Sequence, residues 1–82
     1  MIHREIRTLG DLKTGTHALV HHLRGGHEFV NRLLVLGLTI GAEIIVLQNS
    51  GSGPVMIAVR DSRVALGRGE TKKVVVEILG NR

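Results

Sequence analysis

The stretch that decides the fold is Arg24-Gly-Gly-His-Glu-Phe-Val-Asn-Arg-Leu-Leu-Val-Leu-Gly-Leu-Thr-Ile-Gly41. Its apolar residues have the spacing of a helix, whereas those of the rest of the chain have the spacing of strands. Gly37 is placed to end this helix in the left-handed conformation, and Leu38 just beyond it can contact Leu33. We therefore expect one helix that covers a small barrel, with a buried face formed by Phe29, Val30, Leu33, Leu34 and Leu36.

Short strands are predicted on both sides of this helix. In the first, Ala18 and Val20 point inward, and a bulge near His21 and His22 is needed for Leu23 to reach the core as well. Residues 7–15 predict one helical turn with Thr8 at its N-cap, and residues 67–73 predict a loop or a helical turn. The strands are predicted at residues 16–23, 42–48, 55–60, 63–66 and 74–79. Five short strands and one helix indicate a mainly β fold, a small antiparallel β-barrel.

Composition limits the classes of protein that fit. The chain has 82 residues, 43% of them hydrophobic, which predicts one folded domain over residues 1–82. The absence of cysteine excludes disulfides and thiolate metal sites and suits a reducing cytosol. Charges near the amino terminus argue against a secretory signal, and the apolar stretch 33–42 is about half as long as a membrane span. We expect a soluble, cytoplasmic chain without a transmembrane segment.

The same composition argues against catalysis and nucleic-acid binding. The chain has no Cys, no Ser in a nucleophile elbow and no close pair of acids, so we expect no enzymatic activity. The net charge of +4 comes from eleven scattered Lys and Arg against seven acids, which indicates a solvated surface. Phe29 is the single aromatic residue, too few for base stacking. A basic accessory barrel that binds nucleic acid by charge alone is one alternative for the function, and it ranks third, after the two functions described below.

An ordered set of residues resembles the FeoA family of bacterial and archaeal ferrous iron transport proteins over nearly the whole chain. The set is Leu9-x-x-Leu12-x-x-Gly15, Ala18-x-Val20, Gly26, Arg32-Leu33-x-x-Leu36-Gly37-Leu38-x-x-Gly41, Gly53-Pro54-Val55 and Val64-Ala65-Leu66. The resemblance implies an SH3-like small barrel. It also implies a cytosolic accessory role beside FeoB, the membrane Fe(II) transporter that carries a GTP-binding domain.

The sequence departs from the family pattern at two places. Ile40 stands where the family often has Pro before the glycine of the turn, which loosens that turn. Gly67 and Gly69 stand where the family commonly has better helix formers, so a short helix there is in doubt.

The exit of the helix is the candidate docking site for the cytoplasmic domain of a FeoB-type transporter. Docking there would place the protein in the cytoplasm or at the inner face of the membrane. Arg32 is predicted on the polar face of the helix, and a tight exit cannot turn Leu38, Thr39 and Ile40 all inward. In the opposing interpretation, Leu38 packs as the helix stop and Arg32 is merely solvated. Docking there would change the activity or the assembly of the cytoplasmic part of the transporter.

Five histidines and the iron connection suggest a second function, a divalent-metal carrier or sensor. His17 and His21 on one strand face would be about 13 Å apart, too far to share an ion. The remaining combination is His21 or His22 with His27 and Glu28, if the Gly25-Gly26 turn folds the helix start back. Such a site would hold Fe(II) or another divalent transition metal weakly, and we expect no required cofactor.

Exposed strand edges are a further expectation. The valine run 74–76 and the strand that begins at Val55 could lie at the edges of the barrel. An exposed edge can pair with another copy of the chain, so a homo-oligomer is one expected assembly.

Overall fold

The computed structural model describes residues 4–81, except for the side chain of Asn81. It contains six strands, β1 to β6, and two helices, α1 and α2. A 3₁₀ turn at Leu9–Asp11 follows β1, with Thr8 at its N-cap position as predicted. The strands and helices are β1 (Ile6–Thr8), β2 (Thr16–Leu23), α1 (His27–Val35), β3 (Glu43–Gln48), β4 (Val55–Val59), β5 (Ser62–Leu66), α2 (Arg68–Thr71) and β6 (Val74–Asn81).

All six strands form one antiparallel sheet in the order β1-β6-β2-β3-β4-β5. The predicted mainly β fold is confirmed, with two differences. The sheet has six strands rather than five, because β1 was not predicted. Within residues 4–81, β1 and β5 are the two ends of the sheet and do not pair with each other, so hydrogen bonds do not close the curled sheet into a barrel.

The bulge predicted in β2 is present. The register along β6 shifts between Val20, which faces Val76, and His22, which faces Val75. Ala18 and Val20 are both buried, and Leu23 packs against the core from the other side of the shift. The extra residue therefore lets β2 keep contact with the core on both sides of the bulge.

The core fills the concave side of the sheet. It draws alternate residues from the long strands, as the period of two along a strand requires. Leu9 and Leu12 close one part of it, while Leu33 and Leu38 close another. The buried strand residues are Ala18, Val20, Ile44, Val46, Val55, Ile57, Val59, Val64, Leu66, Val74 and Val76.

The buried face of α1 is narrower than predicted. Leu33 is fully buried and Phe29 and Val30 are half-buried, but Leu34 and Leu36 are each 38% exposed. The reason is geometric, because a residue next to Leu33 is turned by about 100° around the axis and leaves the covered stripe. Leu36 is already the C-cap, beyond the last helical residue.

The predicted stop of α1 is confirmed. Gly37 has φ of +104°, and its N–H donates to the carbonyl of Leu34 at 3.0 Å. The N–H of Leu38 donates to the carbonyl of Leu33 at 2.9 Å. These two bonds define a Schellman motif, which turns the chain back toward the core.

The helical turn that was in doubt, α2, does form. The carboxylate of Glu70 accepts the N–H of Gly67 at 2.9 Å, and the N–H of Thr71 donates to the carbonyl of Gly67. Glu70 stands at the third position of the helix and so satisfies an N–H that would otherwise lack a partner. This contact compensates for the poor helix propensity of Gly69, whereas Gly67 stands at the N-cap, where glycine is tolerated.

Asn49 connects three segments that are distant in the sequence. Its Nδ2 donates to the carbonyls of Gly10 at 3.0 Å and Leu12 at 2.7 Å. Its Oδ1 accepts the N–H of Gly51 at 3.1 Å and a hydrogen bond from the guanidinium of Arg68. The β3–β4 loop is thereby fastened to the 3₁₀ turn and to α2.

The prediction of which strands form the free edges of the sheet is wrong. β6 lies between β1 and β2, and β4 lies between β3 and β5, so the valine run 74–76 and Val55 are inside the sheet. The edges are β1 and β5 instead.

No helix in residues 4–81 combines the length and the apolar character that a membrane span requires.

Candidate functional site

The exit of α1 carries a cluster of exposed apolar side chains. Val35 is 86% exposed and Ile40 is 63% exposed, and Leu34 and Leu36 beside them are partly exposed. Single exposed apolar residues are common on soluble proteins, but several on one short segment are typical of a binding surface. We define the exit patch as Leu34, Val35, Leu36, Thr39, Ile40 and Arg60.

Leu38 was predicted to lie on this surface, and that part of the prediction is wrong. Its side chain is fully buried in the core cluster together with Leu33. The Schellman motif explains the difference, because it directs the second residue after the C-cap back onto the helix. Thr39 is half-buried and Ile40 is exposed, so these two predicted residues remain at the surface.

Arg32, the fourth predicted docking residue, lies on the polar face of α1 but is not an unpaired cation. Its guanidinium forms an ion pair with the carboxylate of Glu70 in α2. The hydrogen bond from the N–H of Gly67 is the main cause of the lowered pKa of Glu70, and the hydrogen bond from Arg32 is the second cause. Arg32 therefore connects the two helices, while its side chain stays 54% exposed.

Arg60 is a residue of the patch that the sequence did not indicate. It was placed at the end of a strand, but it lies in the two-residue turn between β4 and β5 with φ of +54°. Its Nη2 approaches Thr39 Oγ1 at 3.5 Å, and its side chain packs beside Gly37. A positive φ costs a residue with a Cβ about 1–2 kcal/mol, so the backbone here is strained next to the exposed apolar cluster.

Phe29 is covered by cations on the other side of α1. The guanidinium carbon of Arg32 lies 5.7 Å from the ring centroid, and Nζ of Lys73 lies 5.1 Å from it. Both distances suit cation–π contact. The ring is thus half-buried against the core and shielded from outside by two long side chains.

The proposed metal ligands are not brought together. His21, His22, His27 and Glu28 are all exposed. Within residues 4–81 no three His, Cys, Asp or Glu side chains form a group that could hold a metal ion. The histidine contact that the structure does show is elsewhere, where His17 Nδ1 lies 3.0 Å from a carboxylate oxygen of Glu43 on the neighbouring strand. Metal binding by this chain stays a prediction.

The family model described as FeoA domain matches residues 7–78. The chain belongs to the FeoA family. It is 35% identical over 65 residues to a protein of Methanocaldococcus jannaschii named "Putative Fe(2+) transport protein A", which is 79% of this chain and 78% of that protein. The family predicted from the ordered residues is therefore confirmed.

Solved FeoA structures share the fold. A crystal structure of an iron uptake regulatory protein, FeoA, superposes with a TM-score of 0.85 at 35% identity and covers 92% of this chain and all of that one. The FeoA of Stenotrophomonas maltophilia, crystallised with zinc and described as a prokaryotic SH3 domain protein, gives a TM-score of 0.72 at 32% identity. That match covers 85% of this chain and 88% of the other. The SH3-like fold expected for this FeoA chain is confirmed.

Proposed function

We propose that this FeoA protein is a non-enzymatic, cytoplasmic accessory of Fe(II) uptake that docks to the cytoplasmic GTP-binding part of a FeoB-type transporter. The family and the Fe(2+) transport name of the relative support the iron connection. The observation that carries the docking step is the exit patch, above all the 86% exposure of Val35.

The exit patch has the composition that a docking surface needs. Burying exposed Val or Ile side chains yields roughly 1.5–3 kcal/mol each, which is enough to anchor a small interface. Arg60 lies beside the apolar cluster and carries a charge that can orient the partner through a carboxylate. The Schellman motif fixes the backbone of the exit, so little conformational freedom is lost on docking.

The test is direct binding of the purified chain to the cytoplasmic domain of the FeoB transporter from the same cell. Val35→Asp and Ile40→Asp should each weaken binding by at least about tenfold, because each places a charge in a buried contact. Leu79→Asp is the matched control, since Leu79 is 50% exposed on β6, outside the exit patch. This control should bind like the unmodified chain.

Two results would contradict the proposal. One is unchanged binding of both exit-patch variants with their melting temperatures preserved. The other is an equal loss of affinity in Leu79→Asp, which would show that the effect comes from any added surface charge and not from the patch.

A second candidate, direct binding of a divalent metal, is favoured by one observation. His17 Nδ1 and a carboxylate oxygen of Glu43 lie 3.0 Å apart at the surface of the sheet, and imidazole with carboxylate suits a transition metal. Two ligands alone would hold an ion weakly. Titration with Zn(II) or Fe(II) under NMR observation should move the imidazole signal of His17, and the Glu43→Gln variant should remove that response. Signals of His21, His22 and His27 that move instead would restore the site predicted from the sequence.

A further inference from the structure

β5 forms a free edge of the sheet. It pairs with β4 from Val55–Leu66 to Val59–Ser62, and the described part of the chain places no strand on its other side. It has five residues, whereas β1 at the opposite edge has three. An edge strand presents a row of backbone groups without ladder partners, which is a template for another strand.

The register shows which backbone groups of β5 face outward. Only Arg60 and Asp61 separate Val59 from Ser62, so the Val59–Ser62 pair must be a hydrogen-bonded pair of the hairpin. Hydrogen-bonded and non-hydrogen-bonded pairs alternate in an antiparallel ladder. The N–H and C=O groups of Arg63 and Ala65 therefore point away from β4, and both residues are exposed.

The side chains of β5 define what kind of segment would fit. Val64 and Leu66 face the core, and Arg63 and Ala65 face outward. A residue opposite Arg63 on an added strand would place its side chain on the same outer face. A carboxylate there would pair with Arg63, and an apolar residue one position along would cover Val64. The fitting segment alternates acidic and apolar residues.

A second copy of this chain fits the edge poorly. Antiparallel pairing of two β5 strands about Arg63 would set the two guanidinium groups directly opposite each other. Antiparallel pairing about Val64 would set Arg63 of each chain opposite Ala65 of the other, where no carboxylate meets it. Like charges directly opposite each other destabilise a strand pair. The charge of the edge therefore selects a different chain with carboxylates.

We propose that the β5 edge binds an extended acidic segment of another protein as an added strand. The backbone of Arg63 and Ala65 provides the hydrogen bonds and the Arg63 guanidinium provides the selectivity for carboxylates. This surface is distinct from the apolar exit patch and does not depend on docking there.

The probe is a capped seven-residue peptide of alternating Val and Glu, with the same peptide carrying Lys in place of Glu as its control. Added to the ¹⁵N-labelled chain, the acidic peptide should shift the amide signals of Arg63 and Ala65 and slow their hydrogen exchange. Arg63→Glu should weaken binding of the acidic peptide at least about tenfold and favour the Lys peptide. Arg24→Glu makes the same charge change on an exposed residue after β2 and should cost less than about twofold.

The backbone contribution is tested by Ala65→Pro. This change removes an N–H that points away from β4, so the hydrogen bonds between β4 and β5 stay intact. Proline is tolerated on edge strands for this reason. It should abolish binding while the amide spectrum stays dispersed, and if the variant fails to fold, Arg63→Glu decides the question. No response at millimolar peptide, equal binding of the Glu and Lys peptides, or full binding by Arg63→Glu would overturn the proposal. In that case Arg63 protects the edge from pairing.

Discussion

The guanidinium of Arg32 in α1 pairs with the carboxylate of Glu70 in α2, although the two residues are 38 positions apart in the sequence. The same carboxylate accepts the N–H of Gly67 at the start of α2. One acidic side chain therefore caps one helix and binds another. The position of α1 over the core depends in part on a group that can be protonated.

Acid should weaken the fold through Glu70. Its pKa in the folded state lies below the ordinary value of 4.5, so the unfolded chain takes up the proton more readily. The stabilisation is complete above that value and is lost as the pH falls through the lower folded value. Urea unfolding of Glu70→Gln should show a smaller decrease in the free energy of unfolding between neutral pH and pH 3 than the unmodified chain.

The same variant has a modest effect at neutral pH. Glu70→Gln keeps an oxygen that can accept the N–H of Gly67 but loses the charge, so we expect a cost of about 0.2–1 kcal/mol. Glu28→Gln changes an exposed carboxylate at the start of α1 and should cost less than about 0.5 kcal/mol. Identical acid dependence in Glu70→Gln and the unmodified chain would contradict this role of Glu70.

Gly10→Ala should destabilise the chain by about 1–3 kcal/mol. A Cβ atom at residue 10 would lie 2.7 Å from the hydroxyl oxygen of Thr71, which is buried and donates to the carbonyl of Arg68. Gly69→Ala is the matched control, because nothing lies within 4 Å of its Cβ position inside α2. Helix propensity predicts that this control gains about 0.5–1 kcal/mol. Thermal unfolding of both variants compares the two effects, and equal melting temperatures would exclude the predicted collision.

Asn49→Ala should cost about 1–3 kcal/mol, because the carbonyls of Gly10 and Leu12 would lose a donor and Arg68 an acceptor. Ser50→Ala, in the same loop, removes one exposed hydrogen bond and should cost less than about 0.5 kcal/mol. Urea unfolding measures both variants. A loss in Asn49→Ala no larger than that in Ser50→Ala would show that the three segments hold together without this side chain.

Gly37→Ala should move Arg60 as well as destabilise the exit of α1. The positive φ predicts a cost of about 1–2 kcal/mol, and the new Cβ would lie 3.2 Å from Cδ of Arg60. Gly41→Ala also stands at positive φ, +88°, but has no atom within 4 Å of its Cβ position. The NMR signals of the Arg60 side chain should shift in Gly37→Ala and stay in place in Gly41→Ala. Unmoved signals in both would contradict the packing of Arg60 at the exit.

The features that sequence predicted correctly depend on near neighbours. The Schellman stop at Gly37 needs only the residues around it, and the bulge in β2 follows from the phase of Ala18, Val20 and Leu23. The strand β1 was not predicted because it has three residues, too few to show a period. Its structure comes from pairing with β6, a long-range contact that a local pattern does not encode.

In the candidate site too, two residues placed by local sequence were predicted correctly and those placed by long-range contacts were missed. Ile40 and Thr39 were placed at the surface correctly because the tight exit limits what can turn inward. Arg60 was missed because it reaches Thr39 across 21 positions, from a turn whose place beside α1 depends on the curl of the whole sheet. The ion pair of Arg32 was missed for the same reason, since Glu70 lies in a helix 38 positions further along the sequence.

The position of β6 between β1 and β2 has a consequence for how the chain is made. While the ribosome is still adding residues, β2 to β5 can pair in order as they emerge, since each pairs with the next. β1 has no partner until β6 appears, 66 residues after Thr8, which takes roughly 3–13 s at about 5–20 residues per second. From the synthesis of Leu23 until β6 appears, the nascent chain exposes the flank of β2 that β6 will later cover, so a chaperone would have its longest opportunity to bind there.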